Sequence, residues 1–223
     1  MKIERGLVLA LEVAERRRAL KVAEEVEPFT DAVKVGLPVL LSSGLDIVRN
    51  LSKRTYVLCD LKLADIPNTN RLSAACVFAA GADGVIAHAF PGRDSLLAVV
   101  EEARRHGGEV WAVTEMSHPG ALELMAPVAR EMVRIAVETG AAGIVAPATR
   151  PDRLKALKSI AGSLKIIAPG VGAQGGSATA AILAGADAVI VGRSIYESPE
   201  PGRVARELAE ETARALKSRG GGD

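Results

Sequence analysis

The sequence predicts an α/β fold, a (βα)8 TIM barrel in a single domain spanning residues 1–223, and three observations carry that expectation. Eight short apolar runs alternate with amphipathic stretches along the whole chain. At 223 residues the chain suffices for one packed core with short loops, and nothing in it reads as a linker. A motif also recurs where helices hand over to strands: Gly81-Ala82-Asp83-Gly84-Val85-Ile86, Gly140-Ala141-Ala142-Gly143-Ile144-Val145 and Gly185-Ala186-Asp187-Ala188-Val189-Ile190. Each time a glycine caps a helix and the chain turns at once into a buried strand. The alternative, an open doubly wound sheet, lacks its G-x-G-x-x-G fingerprint after the first strand.

Strands are expected at residues 7–11, 32–36, 56–61, 84–89, 110–114, 143–146, 165–168 and 188–191, with amphipathic helical stretches at 15–26, 71–80, 95–105, 128–139 and 204–217. The first apolar run is interrupted by Glu12 and followed by Arg16-Arg17-Arg18, too short for a signal peptide or a membrane span, so a cytoplasmic protein is expected. The third run leads into Cys59-Asp60-Leu61-Lys62-Leu63-Ala64-Asp65-Ile66-Pro67-Asn68-Thr69, with Pro67 suited to a helix's first turn. Strand alternation puts Asp60 and Lys62 on one face and Cys59 and Leu61 on the other. The charged stretch at 203–217 reads as the solvated face of a barrel helix, and the end of the chain, 219–223, as a flexible tail.

Composition narrows the function. Lys plus Arg is 28 and Asp plus Glu 27, a balance that gives no footprint for nucleic acid or an anionic membrane. Cys59 and Cys76 lack metal-ligand spacing and read as reduced packing residues; His88, His106 and His118 are scattered, without the pairing of a zinc site. No metal is expected.

A barrel of this kind works at the carboxyl ends of its strands. That rule selects Glu12, Lys34, the Asp60, Lys62 and Asp65 trio, His88, Glu115 and Ser117, Pro147 and Thr149, the glycine-rich loop after the seventh strand, and Gly192-Arg193 after the eighth. The loop is Pro169-Gly170-Val171-Gly172-Ala173-Gln174-Gly175-Gly176-Ser177. Glycines let backbone N–H groups approach an anion, and Arg193 adds a bidentate donor, so these two loops read as a phosphate site. His88 reads as hydrogen-bonded scaffold. Glu12 reads equally as a ligand contact or as the cap of the first helix.

With D-x-K-x-x-D-I-P-N-T at 60–69, T-E-M-S-H-P-G at 114–120, P-G-V-G-A-Q-G-G at 169–176 and V-G-R-S-I-Y at 191–196, the chain closely resembles orotidine 5′-phosphate decarboxylase of the short archaeal type over essentially its whole length. The resemblance implies conversion of orotidine 5′-phosphate to UMP and CO2, in the last step of de novo pyrimidine synthesis, without metal or organic cofactor. Lys62 would be the proton donor to the carbon losing CO2, within a charged network of Lys34, Asp60, Lys62 and Asp65. Ser117 would contact the pyrimidine, Gln174 and Arg193 the phosphate, and Lys34 with Glu12 the ribose. The resemblance also implies a substrate site that includes Asp60, Ile66, Pro169, Gly170, Val171, Gly172, Ala173, Gly175 and Gly192, and a homodimer in which Asp65 and Thr69 enter the neighbouring site. Glu12 departs from the family's usual Asp, by one methylene.

Two rivals follow. A Mg2+-dependent 3-keto-L-gulonate 6-phosphate decarboxylase or hexulose-phosphate synthase shares the D-x-K-x-x-D frame, but Lys34-Val35-Gly36 puts a cation where a metal site wants oxygen. A non-catalytic nucleotide-binding module would keep the phosphate loops without needing Lys34, Asp60, Lys62 and Asp65.

Overall fold

The computed structural model describes residues 1–220. Its eight strands are β1 (Leu7–Leu11), β2 (Ala32–Gly36), β3 (Val57–Leu63), β4 (Gly84–His88), β5 (Glu109–Val113), β6 (Gly143–Val145), β7 (Lys165–Pro169) and β8 (Ala188–Val191). Each pairs in parallel with the next, and β8 returns to β1 through Leu7 opposite Val189, closing the barrel.

Among the described residues ten α-helices surround it: α1 (Arg16–Val26), α2 (Leu37–Ser43), α3 (Asp46–Leu51), α4 (Pro67–Ala79), α5 (Arg93–Arg105), α6 (Ala121–Thr139), α7 (Pro151–Ala161), α8 (Ala178–Leu183), α9 (Arg193–Tyr196) and α10 (Pro201–Gly220). All eight expected strands are present within two residues at either end. Helix α4 starts at Pro67, the first-turn place expected of that proline, four residues ahead of the amphipathic stretch that begins at 71. Helix α6 starts at Ala121, not 128, and carries Pro127 inside it.

The recurring glycine motif has a backbone cause. Asp83, Ala142 and Asp187 each donate their N–H to a carbonyl of the preceding strand, of Val57, Val110 and Ile166 at 3.0, 2.9 and 2.8 Å. The two aspartates add a second bond, accepting from Val57 N–H at 2.8 Å and Ile166 N–H at 2.7 Å. Strand entry is thus pinned from both sides.

Period-two alternation divides the apolar residues into two packed layers. Val8, Leu58, Ile86, Trp111, Val113, Val145, Ile167 and Ile190 fill the barrel, while Leu7, Leu9, Leu11, Val33, Val35 and Cys59 face the helices. Cys59 is free and buried, and burial pushes its thiol up to about 12, so it is an inert packing group. Cys76 is free and exposed.

Two residues of the expected flexible tail, 219 and 220, belong to a helix. Helix α10 runs to Gly220, and Arg219 donates to the carbonyls of Ile182 and Ala186 and to Asp187 Oδ1 at 3.0, 2.6 and 3.1 Å. Residues 221–223 lie outside the described part. Among the described residues no helix is long and apolar enough to cross a membrane.

Candidate active site

One chain of alternating charge crosses the mouth of the barrel. Lys34, on the inward face of β2, donates to Glu12 Oε1 and to Asp60 Oδ2, each at 2.9 Å. Lys62 then reaches both oxygens of Asp60 at 2.8 Å. Lys34 and Asp60 are only 6% and 7% exposed, so neither charge could stand alone there. Burial opposes the Lys34 ammonium, but Asp60 and Glu12 outweigh it and hold its pKa above the usual lysine value. Burial likewise opposes the Asp60 carboxylate, and Lys34 and Lys62 hold its pKa below the usual range. Charge order is minus, plus, minus, plus.

The backbone bends to make this possible. Between Cys59 and Leu63, four steps of β3 match two steps of β4, from Val85 to Ala87, and Lys62 sits at φ +46°. Among the described residues it is the one non-glycine residue at positive φ, a conformation that costs about 1–2 kcal/mol for an L-residue. Simple alternation anticipated that Asp60 and Lys62 share a side; the bulge is what folds the lysine back onto the aspartate.

Glu12 is not a helix cap. Glu15 caps α1, accepting from Arg17 N–H and Arg18 N–H at 2.9 Å, and Glu12 joins Lys34 instead. Its second oxygen, Oε2, is buried and has no hydrogen-bond partner.

The opposite wall is built from the last loops. Ser117 Oγ donates to Gln174 Oε1 at 2.7 Å, joining the loop after β5 to the glycine-rich loop after β7. Gly170 at φ +110° allows this loop to turn under Thr149 and Ser117. Arg193 follows Gly192 at the start of α9, exposed and without an ion pair among the described residues. A cavity of about 260 Å³ holds both walls: Glu12, Lys34, Asp60 and Lys62 line one side, and Ser117, Pro169, Gly170, Val171, Ala173, Gln174, Gly192 and Arg193 the other.

Other expected residues stand elsewhere. Gly172 and Gly175 do not line the cavity: Gly175 N–H donates to Gly172 O at 2.7 Å, and both sit at positive φ, so they shape the loop. Asp65, Ile66 and Thr69 are exposed at the start of α4, outside the cavity of their own chain. His88 is half-buried; burial first, then Lys62, lowers its pKa, which keeps it neutral at pH 7. Glu115 is fully buried away from the cavity, held by Arg150 Nη1 at 2.9 Å and by Arg153 Nε at 2.7 Å. Arg150 also donates to the carbonyls of Met116, Ser117 and His118, and Thr149 Oγ1 to Ser117 O. These contacts fix the loop that carries Ser117.

Sequence reasoning missed the apolar floor of Ala10, Ile86, Val113, Met116, Val145 and Ile190, and also Tyr196. A signal existed for part of the floor: counting back in twos along the strands from Glu12 and His88 reaches Ala10 and Ile86. Nothing local marked Arg150 or Arg153, which act from 35 and 38 residues away in sequence.

Eight parallel strands closed on themselves, with a polar cavity at their carboxyl ends, place the molecule in the class of (βα)8 barrels. A family model described as Orotidine 5′-phosphate decarboxylase / HUMPS family matches residues 5–208. The chain belongs to that family. It is 54% identical over 214 residues to the orotidine 5′-phosphate decarboxylase of Methanosarcina mazei, covering 96% of this chain and 97% of that one. Identity to the enzyme of the same name from Pyrococcus abyssi is 50% over 208 residues, 92% of this chain and 98% of the other. The crystal structure of the Methanocaldococcus jannaschii enzyme with inhibitor BMP superimposes with a TM-score of 0.90 at 43% identity, covering 95% of this chain and 99% of that one.

Proposed function

We propose that this protein decarboxylates orotidine 5′-phosphate to UMP and CO2 in de novo pyrimidine synthesis, with Lys62 as proton donor. The observation that carries the reading is the doubly bonded Lys62–Asp60 pair, backed by Lys34, in the same cavity as Gln174 and Arg193. When the bond to CO2 breaks, its electron pair stays on a ring carbon with poor delocalisation. The Lys62 ammonium offsets that charge and delivers its proton to the carbon. Asp60 aims the ammonium, and its carboxylate beside the substrate's own raises the ground state. The phosphate, bound by Gln174, Arg193 and the loop amides, aligns the ring from a distance, while Ser117 contacts the pyrimidine and Glu12 with Lys34 the ribose.

This chemistry uses protein groups alone, with no metal or organic cofactor. A divalent cation would need the space where the Lys34 ammonium already bridges Glu12 and Asp60. Orotidine 5′-phosphate absorbance is expected to fall at the same rate with and without EDTA. Loss of turnover on chelation favours the Mg2+-dependent rivals; UMP binding without turnover favours a non-catalytic module.

The same reading has two cytoplasmic copies sharing their sites, Asp65 and Thr69 of each entering the cavity of the other, with Ile66 beside them. Apolar side chains left open after β2, β3 and β4 support it: Leu37, Leu41, Ile66 and Phe90, with Ile66 65% exposed. Ile66→Glu is expected to sediment as a monomer and to lose most turnover, whereas a fully active monomer overturns the shared site.

A further inference from the structure

We propose that Gly36 is a positioning residue, its bare Cα serving as the seat of the Glu12 carboxylate beside Lys34. The inference rests on the reading that Glu12 and Lys34 contact the ribose, and it explains how the longer acid fits.

The strand register sets up the encounter. Leu11 lies opposite Val35, so the next step along the two parallel strands brings Glu12 beside Gly36; Gly36 in turn lies opposite Asp60. A side chain at position 36 would therefore project into the gap between the two carboxylates that Lys34 bridges. A Cβ built there overlaps Glu12 Oε1 and stands 2.6 Å from Oε2 and 2.8 Å from Cδ. These three Glu12 atoms are its nearest neighbours.

Backbone conformation does not ask for glycine here. Gly36 has φ −91° and ψ 173°, ordinary extended values open to any L-residue. Space for Glu12 is the requirement. The obstacle is the far end of a flexible side chain, so a methyl group at 36 leaves the barrel intact and displaces the carboxylate instead. Displacement breaks the 2.9 Å bond to Lys34 and re-aims Oε2, the buried acceptor without a hydrogen-bond partner among the described residues. One missing methyl group thus governs both the charge chain and a free acceptor.

Kinetics with orotidine 5′-phosphate of the wild type, Glu12→Ala, Glu12→Asp, Gly36→Ala and the Glu12→Asp/Gly36→Ala double variant test this. Gly36→Ala is expected to raise KM about tenfold, the loss of one charge-assisted hydrogen bond, with a smaller change in kcat and an unchanged Tm. The double variant is expected to return to the KM of Glu12→Asp, because aspartate stops about 1.5 Å short of the added methyl group. A wild-type KM for Gly36→Ala, or a double variant no better than Gly36→Ala, overturns the proposal. If Gly36→Ala does not fold, recovery of folding in the double variant supports the clash with Glu12, and its absence overturns it. A neutral Glu12→Ala overturns the ribose reading together with this inference; a defective Glu12→Ala beside a neutral Gly36→Ala overturns this inference alone.

Discussion

Lys62→Ala is expected to lower kcat by at least about 10⁴-fold, since in the proposed mechanism one group supplies both the proton and the cation facing the developing carbanion. Either role by itself is worth about 10²–10³-fold or more, and both vanish together. The fold should survive. Asp60 keeps its 2.9 Å bond to Lys34 when Lys62 is gone, so no buried carboxylate is left unpaired. Alanine at φ +46° inherits the strain that lysine bears, which leaves the bulge in β3 about as costly as before. UMP binding, read by calorimetry, should persist, since the proposed grip on phosphate lies across the cavity. Turnover near wild type would overturn the role of Lys62 as proton donor.

Removing Arg193 and Gln174 together should cost about 10²–10³-fold in kcat/KM, the combined effect of one charge-assisted and one neutral contact to phosphate. Arg193 is exposed and free of ion pairs among the described residues, so its loss leaves the barrel's stability within about 0.5 kcal/mol. Gln174 has a second task. Its Oε1 accepts from Ser117, so Gln174→Ala also unties the loop after β7 from the loop after β5. A test compound without the phosphate separates the two: orotidine should be indifferent to Arg193→Ala and still respond to Gln174→Ala. Unchanged kinetics for the double variant with the phosphorylated substrate would remove the phosphate site as drawn.

Much of this site was legible one segment at a time. The order of strands, the face carrying Asp60 and the pairing of two glycine-rich loops all follow from short-range periodicity and turn chemistry, which depend on neighbours a few residues away. Glu12 was legible only as an ambiguity between cap and ligand. Glu15, three residues on, takes the cap, and Glu12 is drawn instead to an ammonium on another strand. Glu115 misled in the opposite direction: its place after β5 suggested the mouth, yet Arg150 and Arg153 from β6's far side draw it into the wall.

By itself, then, the sequence determined the (βα)8 architecture, the end of the barrel where polar groups gather, and the set of residues from which a decarboxylase site could be assembled. Only the tertiary structure decided that Lys62 leaves the strand ladder to meet Asp60, that Glu12 occupies the place beside Gly36, and that Gly172 and Gly175 build a loop without lining the cavity. The physical reason is range. Periodicity assigns a side chain to a face, whereas the Glu12–Lys34 and Lys34–Asp60 pairs join residues more than twenty positions apart and depend on barrel closure and strand register, and the bulge that turns Lys62 onto Asp60 is a feature of the β3–β4 pairing.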